Sequence, residues 1–198
     1  MKFLQYFTTL FGLLFPCLAH TNELYQVPSV AMEPSVQKNS TVFVQAIQSP
    51  VQRGDIVLFR WPVDLKTPFL MRVIGLPGDH VQMRGERITI NGTVVPIRAV
   101  DEKTSTFEEE LAGVKYMVQR VGNNYGLAVS RRYEGRANRC DYAYKEEAIN
   151  CLVPAGQYFV LGDHRNNSND SRMWGYVPAA LLMGKVSSLE HFLKSQTN

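Results

Sequence analysis

The chain has 198 residues, 45% of them hydrophobic, and a formal net charge of +3. This mild charge, with basic residues scattered rather than clustered, argues against a nucleic-acid-binding protein. After a targeting segment of about 20 residues, roughly 175 remain, enough for one domain with a small appendage. Frequent Val, Ile, Tyr and Phe, broken by Gly and Pro, predict a mostly β fold.

Residues 1–20 form a mainly apolar run after one early lysine. The run is shorter and more polar than the roughly 20 apolar residues that a spanning helix needs. Cys17 and Ala19 suit the −3 and −1 positions of a signal-peptide cleavage site, which predicts cleavage after Ala19. An uncleaved membrane anchor is the alternative, and a lipid anchor at Cys17 is a third, disfavoured by Pro16. Each places the folded part outside the cytoplasm, in the periplasm or at the outer face of the inner membrane.

Short apolar runs separated by turn residues follow from residue 42 onward, which is typical of antiparallel strands. Asn91-Gly92 suits a type I′ turn and predicts a hairpin around it. A strand ending at Leu161 precedes a polar loop over 162–172. The sequence thus predicts strands at 42–47, 56–61, 69–74, 87–90, 93–97 and 153–161, a short helix at 178–183 and a closing segment at 186–192.

Residues 99–150 differ from their surroundings because they carry more charge and lack regular strand spacing. We interpret 99–151 as a smaller inserted subdomain. The core is then expected to comprise 21–98 and 152–198.

Cys140 and Cys151 have ten residues between them and lie outside the targeting segment. In an oxidising compartment such a pair predicts a disulfide, worth on the order of 3 kcal/mol in the loop-entropy model. Two buried free thiols are the alternative. No histidine or second cysteine pair lies near, so we expect no metal site, and nothing in the sequence calls for a cofactor.

Four segments, in this order, carry the functional argument. The fourth, GDHRNNSNDSRMWGYVP, is the most specific because it is long and unusual in composition, and the third is nearly as specific. The segments are Tyr25–Ser35, Arg53–Phe59, Phe69–Asp79 and Gly162–Pro178.

Together these segments resemble the bacterial type I signal peptidases, or leader peptidases. The resemblance runs from about Tyr25 to Val186 and is broken by the insert. It implies a β-rich core with an extended apolar surface and a smaller inserted β subdomain. It also implies a serine endopeptidase that removes signal peptides after a small residue, using a Ser–Lys dyad.

The two positions that should hold the dyad are changed. The family's nucleophilic serine directly precedes the methionine of S-x-S-M-x-P, and here that position is Ala31. The family's general-base lysine directly precedes the arginine of K-R-x-x-G-x-P-G-D, and here that position is Met71. Methionine fills a volume similar to that of the lysine stem but cannot accept a proton. The sequence therefore predicts an inactive enzyme.

The resemblance assigns roles to other positions that retain their residue types. Ser29 matches the hydroxyl that helps to form the oxyanion hole, and Ser168 matches the serine that positions the lysine. Asp170 and Arg172 match a structural ion pair near the site. Residues that match the lining of the substrate pockets are Tyr25, Val27, Pro28, Met32, Val36, Phe69 and Leu70.

No substitute dyad is evident in the sequence. Ser29 and Ser35 are the nearest hydroxyls, whereas Lys66 lies on an expected loop. His80 and His164 are expected to be solvated loop residues rather than catalytic bases. A natural pseudoenzyme and a deliberately inactivated enzyme both account for the two replacements.

The preferred hypothesis is a non-catalytic homologue that binds signal peptides or other extended apolar peptides, near a membrane surface, in secretion or surface-protein assembly. One alternative is an active signal peptidase that uses a non-standard nucleophile. Another is a structural partner in a secretion or pilus complex, without a peptide groove.

Overall fold

The computed structural model describes residues 22–85, 87–121, 140–143 and 148–187. The predicted signal peptide or anchor at 1–20 lies outside these residues. Within them, no helix is long and apolar enough to cross a bilayer. The strands are β1 Glu23–Gln26, β2 Thr41–Gln45, β3 Ile56–Arg60, β4 Pro68–Gly75, β5 His80–Arg84, β6 Arg87–Ile90, β7 Thr93–Val94, β8 Ile97–Asp101, β9 Thr106–Leu111, β10 Val114–Gln119, β11 Asp141–Ala143, β12 Ala148–Leu152, β13 Gln157–Leu161, β14 Val177–Pro178 and β15 Leu182–Ser187.

A seven-stranded sheet forms the largest layer, with the order β1-β2-β15-β3-β4-β13-β14. Its centre is the antiparallel pair β3–β4, in which Val57 lies opposite Met71 and Leu58 opposite Leu70. Residues 70–75 of β4 are buried on both faces, so the strand does not alternate between apolar and polar residues, and Arg72 is the charged residue within it. Phe59, without accessible surface, packs against Phe69 and the indole of Trp174.

Two smaller sheets complete the fold. One has five strands in the order β11-β12-β5-β6-β7, and the other has three in the order β10-β9-β8. The five-stranded sheet takes strands from both sides of the proposed boundary at residue 98, because β5 pairs with β12. The division into a core and an insert at 99–151 stays a prediction.

The prediction of a mostly β fold is confirmed. Asn91 and Gly92 both have positive φ, at 49° and 80°, as the predicted turn requires. The prediction of a short helix at 178–183 is wrong for most of that range. There β14 is followed by one 3₁₀ turn at Ala179–Leu181 and then by β15. The α-helix described in the structure, α1, covers Ser171–Trp174 and is capped by the Asp170 carboxylate.

Candidate active site

An open cleft of about 570 Å³ lies between the segment that follows β1 and the first half of β4. The loop after β13 closes one side of it. The cleft is lined by Tyr25, Val27, Pro28, Ser29, Val30, Ala31, Met32, Thr67, Pro68, Phe69, Leu70, Met71, Asn166, Asn167, Ser168 and Asn169.

Backbone pairing fixes both long walls of the cleft. Val27 extends the β1 pairing, because its N–H donates to the Ser40 carbonyl (2.9 Å) and its carbonyl accepts from Asn39 (2.8 Å). On the other wall, β13 pairs with β4 only from Arg72 onward. The edge of 68–71 that faces away from β3 is therefore not covered by β13.

The positions of the predicted dyad meet in this cleft. Ala31 and Met71 both line it, and Met71 is 2% exposed. The Ser168 hydroxyl donates to the Met71 sulfur, with 3.6 Å between Oγ and Sδ. The structure thus brings together the three positions that the resemblance assigns to the nucleophile, the base and the residue that positions the base.

Gly162 allows this close approach. A Cβ atom on Gly162 would lie 2.2 Å from Ser168 Oγ and 2.5 Å from the Ala31 carbonyl oxygen, distances that real Cβ atoms do not adopt. The His164 N–H also donates to the Ala31 carbonyl at 3.0 Å. The loop that carries Ser168 is therefore joined directly to the wall that carries Ala31.

The predicted ion pair between Asp170 and Arg172 is present and buried. Arg172 donates from Nε to Oδ1 (2.8 Å) and from Nη2 to Oδ2 (2.7 Å), and Nη2 also donates to the Arg165 carbonyl (2.6 Å). Asp170 accepts from the Gly162 N–H as well, at 3.1 Å. The pair therefore joins both ends of the loop over 162–172.

The predicted pocket residues divide into two groups. Val36 does not line the cleft but lies in the apolar core beside it, 9% exposed. The side chains that do line it are Tyr25, Val27, Pro28, Met32, Phe69 and Leu70.

The other candidate groups lie away from the cleft lining. Ser35 donates to the Met117 carbonyl (3.0 Å) and accepts from Arg72 Nη2 (3.3 Å). Lys66, His80 and His164 do not line the cleft either. Among the described lining residues no side chain is a lysine, histidine, aspartate or glutamate. Tyr25 is the one titratable side chain there, and burial and then Glu23 raise its pKa.

The sequence interpretation missed a buried ionic cluster beneath the cleft loop. Arg165 donates to both carboxylate oxygens of Glu109, at 2.6 and 2.5 Å. Arg120 and the Tyr116 hydroxyl donate to the same carboxylate at 2.8 Å each. Burial alone would raise the pKa of Glu109, but the Arg165 guanidinium holds it below its usual value. Strand alternation is the one sequence feature that indicates a buried Glu109, because Glu109 falls on the same face of its strand as Phe107 and Leu111.

A second buried pair, Arg72 with Asp163, anchors the start of the same loop. Arg72 donates from Nε to Oδ1 (2.8 Å) and from Nη2 to Oδ2 (2.6 Å), and its guanidinium lies 4.0 Å from the centre of the Tyr116 ring. The backbone of Gln119 completes the connection, because its N–H donates to the Asp163 carbonyl and its carbonyl accepts from Arg165, at 2.9 Å each. The three-stranded sheet therefore holds the loop that lines the cleft.

The predicted cysteine pair is brought together. Cys140 lies directly before β11 and Cys151 lies in β12, and their sulfur atoms are at bonding distance, 1.92 Å apart.

Comparison with known proteins identifies relatives. Signal peptidase I of Pseudomonas aeruginosa is 29% identical over 196 residues, which cover 83% of this chain and 63% of that protein. Signal peptidase I of Rickettsia conorii is 38% identical over 145 residues, 68% of this chain and 49% of that protein. A crystal structure of a signal peptidase I from Enterococcus faecalis V583 is 28% identical, covering 70% of this chain and 98% of its own, with a TM-score of 0.41.

The chain spans about half to just under two thirds of the length of these curated relatives. A family model described as signal peptidase, peptidase S26, matches residues 1–189, which is nearly the whole sequence. On that match, the chain belongs to the signal peptidase family, peptidase S26.

Proposed function

We propose that this chain is a non-catalytic member of the family that binds signal peptides or other extended apolar peptides in secretion or surface-protein assembly. One observation carries the proposal. A mainly apolar cleft is present, but the positions assigned to the nucleophile and the base are Ala31 and Met71. Binding requires only the walls of the cleft, whereas hydrolysis requires both missing groups.

The missing groups remove the first chemical step. A serine that attacks an amide carbonyl must lose its proton, so a base must lie within hydrogen-bond reach. The Met71 thioether accepts a weak hydrogen bond from Ser168 but does not take up a proton at physiological pH. Ser29 and Ser168 keep hydroxyls at the cleft, yet no basic side chain lines it among the described residues.

Strand addition is the expected mode of binding. The edge of residues 68–71 that faces away from β3 has backbone groups that β13 does not cover. An extended peptide can pair there and place alternate side chains against the apolar walls formed by Val27, Met32 and Leu70.

The proposed setting is the periplasm or the outer face of the inner membrane, beside the membrane surface. The bonding distance between Cys140 and Cys151 supports a disulfide, and disulfides persist in oxidising compartments. Tyr25, Val27 and Phe69 give the cleft apolar lining, which suits a peptide delivered from a bilayer.

The test compares binding with cleavage in the full chain. A fluorescently labelled signal peptide should bind by anisotropy, and a preprotein that carries it should stay intact. The double reversion Ala31→Ser with Met71→Lys should cleave that preprotein if the cleft retains its geometry. Cleavage by the unmodified chain, lost in Ser29→Ala, would refute the proposal and favour a non-standard nucleophile.

A further inference from the structure

The five-stranded sheet has one buried face and one face that carries exposed side chains. Val81, Met83 and Ile88 on the buried face belong to an apolar core cluster. Because successive side chains alternate along a strand, the residues between them lie on the opposite face. An open cavity of about 340 Å³ lies there and shares no lining residue with the cleft. It is lined by Gln82, Met83, Arg84, Arg87, Thr89, Ala148, Ile149 and Asn150.

Two arginines lie directly opposite each other at this cavity. Arg84 is the last residue of β5 and Arg87 is the first residue of β6, and the antiparallel register pairs them. Both residues are exposed, and among the described residues neither guanidinium pairs with a carboxylate. Like charges directly opposite one another destabilise a sheet. The pair is therefore unfavourable unless an anion lies between the two guanidinium groups.

The polar side chains beside the arginines add uncharged hydrogen-bond donors. Gln82 lies between Thr89 on one neighbouring strand and Asn150 on the other. The amide oxygen of Asn150 accepts from His80 Nε2, so the Asn150 N–H₂ group is left as a donor that points away from His80. No aspartate or glutamate is among the lining residues of the described cavity. The cavity thus offers donors to an anion and no carboxylate that would repel it.

This set of groups fits a phosphate that carries hydroxyl groups. A guanidinium donates in a fixed fork that matches phosphate oxygens, and these charge-assisted hydrogen bonds are stronger than neutral ones. Amide and hydroxyl side chains both donate and accept, as sugar hydroxyls do. No aromatic side chain lines the described cavity, so a nucleobase would find no ring to stack on. The volume is within the range of pockets that hold small ligands.

We infer that this cavity binds a sugar phosphate. The phosphate lies between Arg84 and Arg87, and the sugar hydroxyls bond with Gln82, Thr89 and Asn150. The site is separate from the cleft, so it does not depend on the proposed peptide-binding function.

Isothermal titration calorimetry of the full chain in a non-ionic detergent tests the inference, with glucose 1-phosphate as the probe. Arg84→Gln removes one guanidinium and keeps a polar side chain. It should weaken binding of glucose 1-phosphate about tenfold or more, because charge-assisted hydrogen bonds are lost. Thr89→Val should weaken binding of glucose 1-phosphate about threefold and leave binding of inorganic phosphate unchanged, since it removes one neutral hydrogen bond. Unphosphorylated glucose should not bind.

Arg98→Gln is the matched control. Arg98 is also an exposed arginine near the end of a strand, but the residue opposite it is Glu108. This variant should bind glucose 1-phosphate as the unmodified chain does. Melting temperature should not fall in Arg84→Gln, because the change relieves a like-charge contact. Equal affinities of Arg84→Gln and the unmodified chain would overturn the inference, as would an equal loss in Arg84→Gln and Arg98→Gln.

A lipid headgroup supplies the same phosphate chemistry from another source. Co-sedimentation with phosphatidylglycerol vesicles separates the two sources. Vesicle binding that Arg84→Gln abolishes, in a chain that does not bind glucose 1-phosphate, would overturn the sugar-phosphate ligand in favour of a lipid surface. Failure to bind either probe would overturn the site itself.

Discussion

Replacing Glu109 by glutamine removes the one negative charge that three buried groups share. The carboxylate is 1% exposed, and it accepts from Arg165, Arg120 and Tyr116. A glutamine amide has one oxygen instead of two, and its N–H₂ group points a donor at a guanidinium. At least one arginine then loses its ionic partner inside the protein.

Breaking a buried ion pair by removing one partner costs about 3–5 kcal/mol. A domain of this size loses about 2–4 °C of melting temperature per kcal/mol, so Glu109→Gln should melt about 6–20 °C lower. Glu108→Gln is the matched control, because it makes the same chemical change on the neighbouring residue. Glu108 pairs at 3.2 Å with Arg98, whose side chain is 68% exposed, and such pairs contribute about 0–1 kcal/mol.

Thermal and urea unfolding of both full-length variants, followed by circular dichroism at pH 7, measure the difference. Equal melting temperatures for Glu109→Gln and Glu108→Gln would refute the assignment of Glu109 as the buried centre of the cluster. If the unfolding free energy of the variant falls with urea at the same slope as that of the unmodified chain, a changed unfolded state is excluded as the cause.

Three further predictions concern the cleft and the pH dependence of stability. Gly162→Ala should lower the free energy of unfolding by about 1–3 kcal/mol and weaken signal-peptide binding, because the added Cβ would strike Ser168 and Ala31. Gly156→Ala should leave the affinity for the signal peptide unchanged. Burial raises the pKa of Tyr176 to about 12. The stability that this residue contributes below pH 10 should therefore fall as the pH rises towards 12. Tyr176→Phe should show a smaller loss in urea midpoint between about pH 10 and pH 12. Signal-peptide affinity should be nearly constant between 50 mM and 500 mM salt, since no charged side chain lines the described cleft; a steep salt dependence would contradict this.

Apolar runs and turn residues made the large sheet predictable. The strand expected at 56–61 is present as β3, and the strand expected at 69–74 is present as β4. Both are mainly apolar runs, so most of their burial follows from composition, but the burial of Arg72 within β4 does not. Helix α1 was not predicted because it is four residues long, and its formation depends on the Asp170 cap within a polar loop. Local propensity carries little information for an element of that length.

The cleft could be predicted residue by residue only where a motif gave the position. Ala31, Met71 and Ser168 were placed by the family resemblance, and the structure brings them together. Their assigned roles stay predictions. Glu109 could not be found in this way, because a glutamate in a charged run is usually solvated. Its partner Arg165 lies 56 positions away, and only the tertiary fold pairs them.

Part of the attachment of the loop that lines the cleft runs through its backbone, beside the buried ion pairs. The Gln119 N–H donates to the Asp163 carbonyl and the Gln119 carbonyl accepts from the Arg165 N–H, while the His164 N–H between them donates to the Ala31 carbonyl. Peptide groups are the same in every residue, so these attachments survive changes in the side chains at 166–169. A library randomised at those four positions could therefore give clefts with altered peptide preference on an unchanged frame. The chain is in this respect a natural starting scaffold for engineered peptide-binding proteins.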